Sequence, residues 1–269
     1  FAILGWSYSC LGTNYGNLLP GDAYPKAKEA ALRAIALDGD LSDARSLYAD
    51  ILTWYDWDFE AAEREYLKTM DLDPLNVLGY ALFLSVQERH EEAIELVERR
   101  LQANPDDPYV HINAAWRFLS AGHYDRAIQE AELAGGHADA RAALGFAWLA
   151  KGDTERAIAY FVADLEDRGR SPQQLSNLAA TYFRTGHEKQ AQVLLTELET
   201  MAAARHVSPA LLASVYFAAG DADRGFASLQ DAVEAQVRDV IFLREWTVLD
   251  QWRDDPRYLD LIETIGFPY

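Results

Sequence analysis

Between residues 138 and 220 the apolar positions fall in helical register, and the same arrangement returns at a constant spacing of 34 residues. Leu144, Gly145, Trp148, Gly152, Ala157 and Phe161 recur as Leu178, Ala179, Tyr182, Gly186, Ala191 and Leu195, and again as Leu212, Ala213, Tyr216, Gly220, Gly225 and Leu229. Leu144, Gly145 and Trp148 share one stripe of a first helix. Gly145 and its counterparts Ala179 and Ala213 let a second helix approach closely, with Ala157 as the small facing contact and Phe161 filling the space one turn later. Gly152, Gly186 and Gly220 stand where the first helix ends and a left-handed residue costs least. Asp153 and Asp221 follow as caps for the second helix. A helix pair of this size cannot bury its apolar faces alone, so a stacked array is predicted.

The pattern extends in both directions. Leu4-Gly5 and Tyr8 mark a first helix near the start, followed by a long loop over 12–25 and a second helix from Lys26, with Ala27, Ala31 and Ala34 at packing offsets. Ala62 and Tyr66 are the small and large contacts of a second repeat that Asp73-Pro74 ends. A third uses Tyr80, Ala81, Leu84, Ala93 and Val97, and a fourth Ala114-Ala115, Phe118, Gly122, Ala127 and Ala131. The repeats are approximately 1–40, 41–75, 76–107, 108–137, 138–171, 172–205 and 206–236. Residues 237–269 break the pattern, and Pro256 opens a final helix in which Tyr258, Leu259, Leu261, Ile262 and Ile265 are apolar, as a cap on an exposed end would be.

The period, the L-G-x-x-[aromatic] stripe, the turn glycine and the A-x-x-x-[large apolar] stripe together resemble the tetratricopeptide repeat. The resemblance implies an all-α, right-handed superhelical solenoid of about seven helix–turn–helix repeats with a C-terminal capping helix, forming a single domain over 1–269. More narrowly, the long first loop, the Trp54-Tyr55-Asp56-Trp57-Asp58-Phe59 turn and the D-P-R-[aromatic] and G-F-P ending resemble C-terminal arrays of multidomain bacterial regulators. That likeness implies a sensing or docking part of a signalling protein. The chain opens Phe1-Ala2-Ile3, inside a repeat, and is read as the C-terminal part of a longer protein with any targeting signal or catalytic domain upstream.

Composition narrows the partners. With 43 acidic against 24 basic residues the net charge is −19, which disfavours direct nucleic-acid binding and favours neutral or basic protein or peptide partners. No stretch is apolar enough to span a bilayer, and a cytoplasmic location is expected. Cys10 is the sole cysteine, so no internal disulfide can form; in its apolar helix it reads as a buried structural thiol.

Catalysis is not expected. His90, His123 and His187 fall at successive turns, which the repeat spreads along the array, and His111, His137 and His206 near first-helix starts are read the same way, as solvated and not as metal ligands. Glu91/Glu92 and Asp254/Asp255 sit beside turns or helix starts, where acids favour the helix dipole. There is no phosphate-binding loop, dinucleotide fingerprint or nucleophile elbow. No cofactor or metal is predicted.

Binding is therefore sought in the groove that the first helices of such repeats line. A second stripe, displaced from the packing stripe, carries Tyr109, Ile112, Trp116 and Leu119, then Phe146 and Leu149, Phe183, and Phe217. Asn113 and Asn177, at a neighbouring offset, suit hydrogen bonds to a peptide backbone. Two readings stand: the aromatics pack against adjoining helices, or they line an apolar groove for a peptide, helix or partner domain. A regulatory sensor holding a small apolar ligand is the alternative function, and the solenoid ends are candidate oligomerisation surfaces. The 54–59 patch either pins the first loop or forms a docking knob for a basic partner.

Overall fold

The computed structural model describes residues 1–13 and 18–267. Residues 14–17, in the middle of the first loop, and Pro268 of the G-F-P ending lie outside them. Fifteen α-helices, with no strand among the described residues, follow one another in pairs. They are α1 (Ala2–Leu11) with α2 (Pro20–Leu37), α3 (Ser42–Ile51) with α4 (Phe59–Leu72), and α5 (Leu78–Val86) with α6 (His90–Ala103). Next come α7 (Pro108–Ser120) with α8 (Tyr124–Leu133), α9 (Ala138–Ala150) with α10 (Thr154–Arg168), α11 (Pro172–Arg184) with α12 (Glu188–Ala204), and α13 (Pro209–Ala218) with α14 (Ala222–Glu234). Two 3₁₀ turns, Arg238–Phe242 and Thr247–Trp252, lead to α15 (Pro256–Ile265). No helix among the described residues is long and apolar enough to cross a membrane. The helices form two compact units: Phe1–Ala103 with Ala232–Trp246 and Trp252–Tyr269, and Asn104–Asp231 with Thr247–Gln251.

In the second unit each repeat offset has its expected role. A Cβ placed on Gly145 would lie 2.7–2.9 Å from three carbons of the Phe161 ring, so α9 and α10 meet at a distance only glycine permits. Ala157, Ala179, Ala191 and Ala213 are fully buried at the equivalent crossings. Gly122, Gly152, Gly186 and Gly220 all end their first helices at φ between +78° and +80°. Asp153 Oδ1 accepts from the Arg156 amide and Asp221 Oδ1 from the Arg224 amide, capping α10 and α14.

A further regularity lies eight residues beyond the aromatic of the packing stripe. The Arg126, Arg156 and Arg224 guanidinium groups lie over the rings of Phe118, Trp148 and Tyr216 at 4.5, 3.5 and 3.9 Å. Each ties the first turn of a second helix to the ring of its own first helix through the ring quadrupole. His111 departs from the solvated reading: it is buried, its Nε2 donates to the Pro105 carbonyl and its Nδ1 contacts Glu130 Oε2, both at 2.8 Å. One face of α7 turns it inward, and the Glu130 carboxylate of α8 compensates its burial.

The first unit is less regular. The second helix of repeat one starts at Pro20 rather than Lys26, because the apolar stripe Pro20, Ala23, Tyr24, Ala27 continues upstream and Pro20 is preset for a first helical position. The first loop is correspondingly shorter than expected. In repeat two α3 widens into a π-helical turn over Leu52–Asp56, and Trp57 takes the left-handed conformation (φ 54°) that glycine supplies elsewhere. In repeat three Glu88 does so at φ 61°. Cys10 is exposed, not buried: Gly5 and Ser9 form the inward face of α1 and Cys10 lies off it.

Tyr66 anchors the first unit's core, stacking on Tyr80 at 5.4 Å and tilted against Phe83 at 5.5 Å. Its hydroxyl donates to Asp50 Oδ1 at 2.6 Å. Gly79 leaves room for that carboxylate, since a Cβ there would come within 2.8 Å of the same oxygen. Burial pushes the Asp50 carboxyl up to about 7, against the opposing pull of the Tyr66 hydrogen bond and the Arg238 charge.

Two outcomes follow for stability. Gly145→Val drives a branched side chain into the Phe161 ring and is expected to cost about 1–3 kcal/mol, measured as a lower urea midpoint. Asp50 ionises near 3.8 in an unfolded chain and near 7 in the fold, so folding favours its protonated form. Its contribution is complete below pH 4 and lost as pH rises to 7. Asp50→Asn stays neutral throughout and is expected to flatten that decline. At neutral pH it should recover up to about 4 kcal/mol, the equivalent of moving a carboxyl that far. Urea titrations at pH 5 and pH 8 check it.

Candidate partner-binding surface

All nine residues of the sequence-derived groove lie in the second unit, on its first helices. Tyr109, Asn113 and Trp116 follow one another on a single face of α7, with Tyr109 62% exposed and the other two half-buried. Helix α7 packs directly on α9, where Phe146 and Leu149 are half-buried. The Trp116 and Phe146 rings stand 6.0 Å apart and tilted, and the far edge of Phe146 meets Phe161 at 5.0 Å. Phe146 thus packs inward while leaving part of its ring exposed. Helix α11 carries half-buried Asn177 and Phe183, and packs on α13.

Ile112 and Phe217 are placed differently. Ile112 is buried within α7's packing face. Phe217, 1% exposed, meets Phe226 edge-on at 4.9 Å and fills the space in which Ala157 and Ala191 carry their methyl groups. Gly225 permits this: a Cβ there would sit 2.8 Å from the Phe217 ring. The sequence carried that signal, since the small alanine of the second helix becomes glycine only in the repeat where the ring turns inward. Of the two asparagines, Asn113 Nδ2 donates to the Tyr109 carbonyl at 2.9 Å, and Asn177 Oδ1 accepts from Gln173 Nε2 at 3.0 Å.

Beside Phe183 opens a cleft of about 780 Å³, floored by Phe183 and Tyr216 and rimmed by Glu188, Lys189, Arg224 and Gln251. One of its rim charges, Arg224, is engaged within the protein. Arg224 pairs with Glu199 and donates to Tyr216 Oη at 2.6 Å, and that hydroxyl donates to Glu199 Oε1 at 3.1 Å. Burial, then the Glu199 hydrogen bond, raises the Tyr216 phenol above its ordinary value, so the floor is neutral aromatic surface. Burial lowers the neighbouring Arg184, with Asp250 opposing it. Gln251 escaped the sequence reading because it belongs to the segment that breaks the repeat.

The 54–59 patch faces inward in the first unit. Tyr55 stacks on Tyr24 at 5.2 Å, Lys28 pairs with Asp56 at 2.7 Å, and Asp58 caps α4 through the Ala61 amide. Trp54 and Phe59 are buried, Trp54 beneath the Arg238 guanidinium at 4.1 Å and Phe59 stacked on Phe267 at 5.4 Å. The patch therefore holds helix α2, where the first loop was expected to be pinned, and also receives the chain's C-terminal segment. No group of three or more His, Cys, Asp or Glu among the described residues is arranged to hold a metal ion.

No family model matches the sequence, and no curated protein matches it significantly. Solved structures do match in fold. A tetratricopeptide repeat protein from Parabacteroides merdae aligns with a TM-score of 0.60 at 13% identity, over 85% of this chain and 93% of its own. The human IFIT1 dimer with m7Gppp-AAAA aligns at 0.61 and 15% identity, over 91% of this chain and 64% of its own. Cut9 and Hcn1, an APC/C hetero-tetramer, align at 0.58 and 14%, over 90% and 49%. The chain thus spans about half to two-thirds of the length of the latter two. With consecutive helix pairs, turn residues and small-to-large crossings in place, this chain has the all-α solenoid fold of tetratricopeptide-repeat proteins.

Proposed function

We propose that the chain is a non-catalytic interaction scaffold that takes a peptide, helix or partner domain on the first-helix face of its second unit, as part of a larger bacterial regulator. The observation that carries this reading is the Trp116–Phe146 pair. Two large rings from adjoining helices remain partly open to solvent, with Tyr109 standing exposed on the same face of α7. Aromatic side chains that offer area at little entropic cost are where binding energy concentrates. Leu149 and Phe183 add half-buried apolar side chains on α9 and α11, and Asn113 and Asn177 add amides on α7 and α11. The human IFIT1 dimer is described with m7Gppp-AAAA, a polyanion. A net charge of −19 directs this chain toward neutral or basic protein partners instead.

A second reading draws on the 780 Å³ cleft, whose size suits a small ligand held beside Phe183 and Tyr216. The two readings separate by experiment. Replacing both Trp116 and Phe183 by Ala should leave helicity unchanged and weaken capture of a protein partner by about 30-fold or more, the effect of losing a central aromatic anchor. Equal recovery of the same partner by a folded double variant removes the groove as the binding face. A small metabolite that raises the melting temperature of the wild type, with no protein partner recovered, favours the sensor.

A further inference from the structure

Residues 236–246 carry no α-helix, yet Val237, Val240, Ile241 and Leu243 are all buried in the first unit. The segment keeps its own shape. Its backbone bonds are local, Val240 to Val237, Leu243 to Val240 and Glu245 to Phe242. The Arg253 guanidinium gathers the carbonyls of Leu243, Arg244 and Trp246 at 3.1, 2.9 and 3.2 Å. Besides those buried aliphatic side chains, a short set of polar and aromatic contacts joins the segment to the repeats. Gln236 Nε2 donates to the Tyr55 carbonyl at 2.9 Å, at the end of the π-turn. Arg238 lies flat over Trp54 at 4.1 Å and within the field of buried Asp50. Arg244 pairs with Glu88, the left-handed residue that ends α5.

These are the features of a peptide complex. A backbone carbonyl sets the register, apolar side chains enter at Val237, Val240, Ile241 and Leu243, and one guanidinium lies over an aromatic face. Lysine would not reproduce that contact, because only a planar guanidinium can stack on the indole. The hold is also imperfect. Trp54 Nε1 and Arg238 Nε are buried without a hydrogen-bond partner among the described residues, and each such group lowers the net gain from docking. We propose that residues 236–246 are an intramolecular ligand. The π-turn of repeat two, with Trp54, Tyr55 and Asp50, is then a peptide-binding surface that reads an aliphatic–Arg–x–aliphatic segment. The chain's own Val237-Arg238-Asp239-Val240 occupies it, and a partner segment of the same chemistry takes it when that segment leaves. This surface is separate from the aromatic face of the second unit and stands or falls independently of it.

Hydrogen exchange on the full chain tests the proposal first. Amides of 236–246 should exchange through an opening that leaves α3–α6 protected. Exchange of the segment only together with those helices makes it ordinary core and overturns the idea. The second arm uses Arg238→Ala and Arg238→Lys, each checked for helicity by circular dichroism. Both should speed exchange of 236–246 by about ten-fold or more while α3–α6 stay unchanged. A labelled peptide of residues 233–246 should bind Arg238→Ala at least about ten-fold more tightly than wild type, whose surface is already filled. Equal binding to the two proteins, or none to a folded variant, refutes it. Should the variant lose its helicity, the wild-type exchange measurement decides alone.

Discussion

The distance between the two helices of a pair is the quantity on which the rest of this structure depends. Where Gly145 faces Phe161, the backbone of α9 comes so close that even a methyl group would collide with the ring. Ala157, Ala179, Ala191 and Ala213 are fully buried at the neighbouring crossings. Each crossing places one large side chain in the space that a small one leaves, and interiors packed this densely tolerate little change in either partner. With the pair distance set, the outer stripe of each first helix is presented at a regular interval.

The same rule explains the exceptions. At Phe217 the large side chain lies on the first helix and the small one, Gly225, on the second, so a ring that its repeat position would leave on the outer stripe is drawn into the interior. In the first unit the small partner is Gly79, and what it admits is a carboxylate. Asp50 is thereby buried against Tyr66, at the cost of a carboxyl that resists ionisation up to about neutral pH. The charge of Arg238, from the C-terminal segment, acts against that burial and favours the ionised form.

The cations of the second unit are used differently. Arg126, Arg156 and Arg224 lie over rings of the packing stripe and also pair with Glu130, Asp153 and Glu199. They brace helix starts and leave the outer first-helix stripe to aromatic and amide side chains. A face of that kind has little long-range electrostatic preference of its own, and the excess of acid lies elsewhere in the chain.

The sequence by itself determined the repeat: the helix pairs, their small and large crossings, the left-handed glycines of the last four repeats and the aspartate caps were all legible. Each depends on residues within one period, and a period of 34 displays such neighbours openly. Tertiary structure decided what that period does not encode. Whether Cys10 faces out, whether His111 turns inward onto Glu130, and where the half-open rings of the candidate face end depend on which helix lies across each position. The Gln236–Tyr55 contact joins positions 181 residues apart, and Phe59 meets Phe267 across a longer interval still. Pairings at such separation leave no periodic trace, because the segment that makes them is not a copy of anything else in the chain.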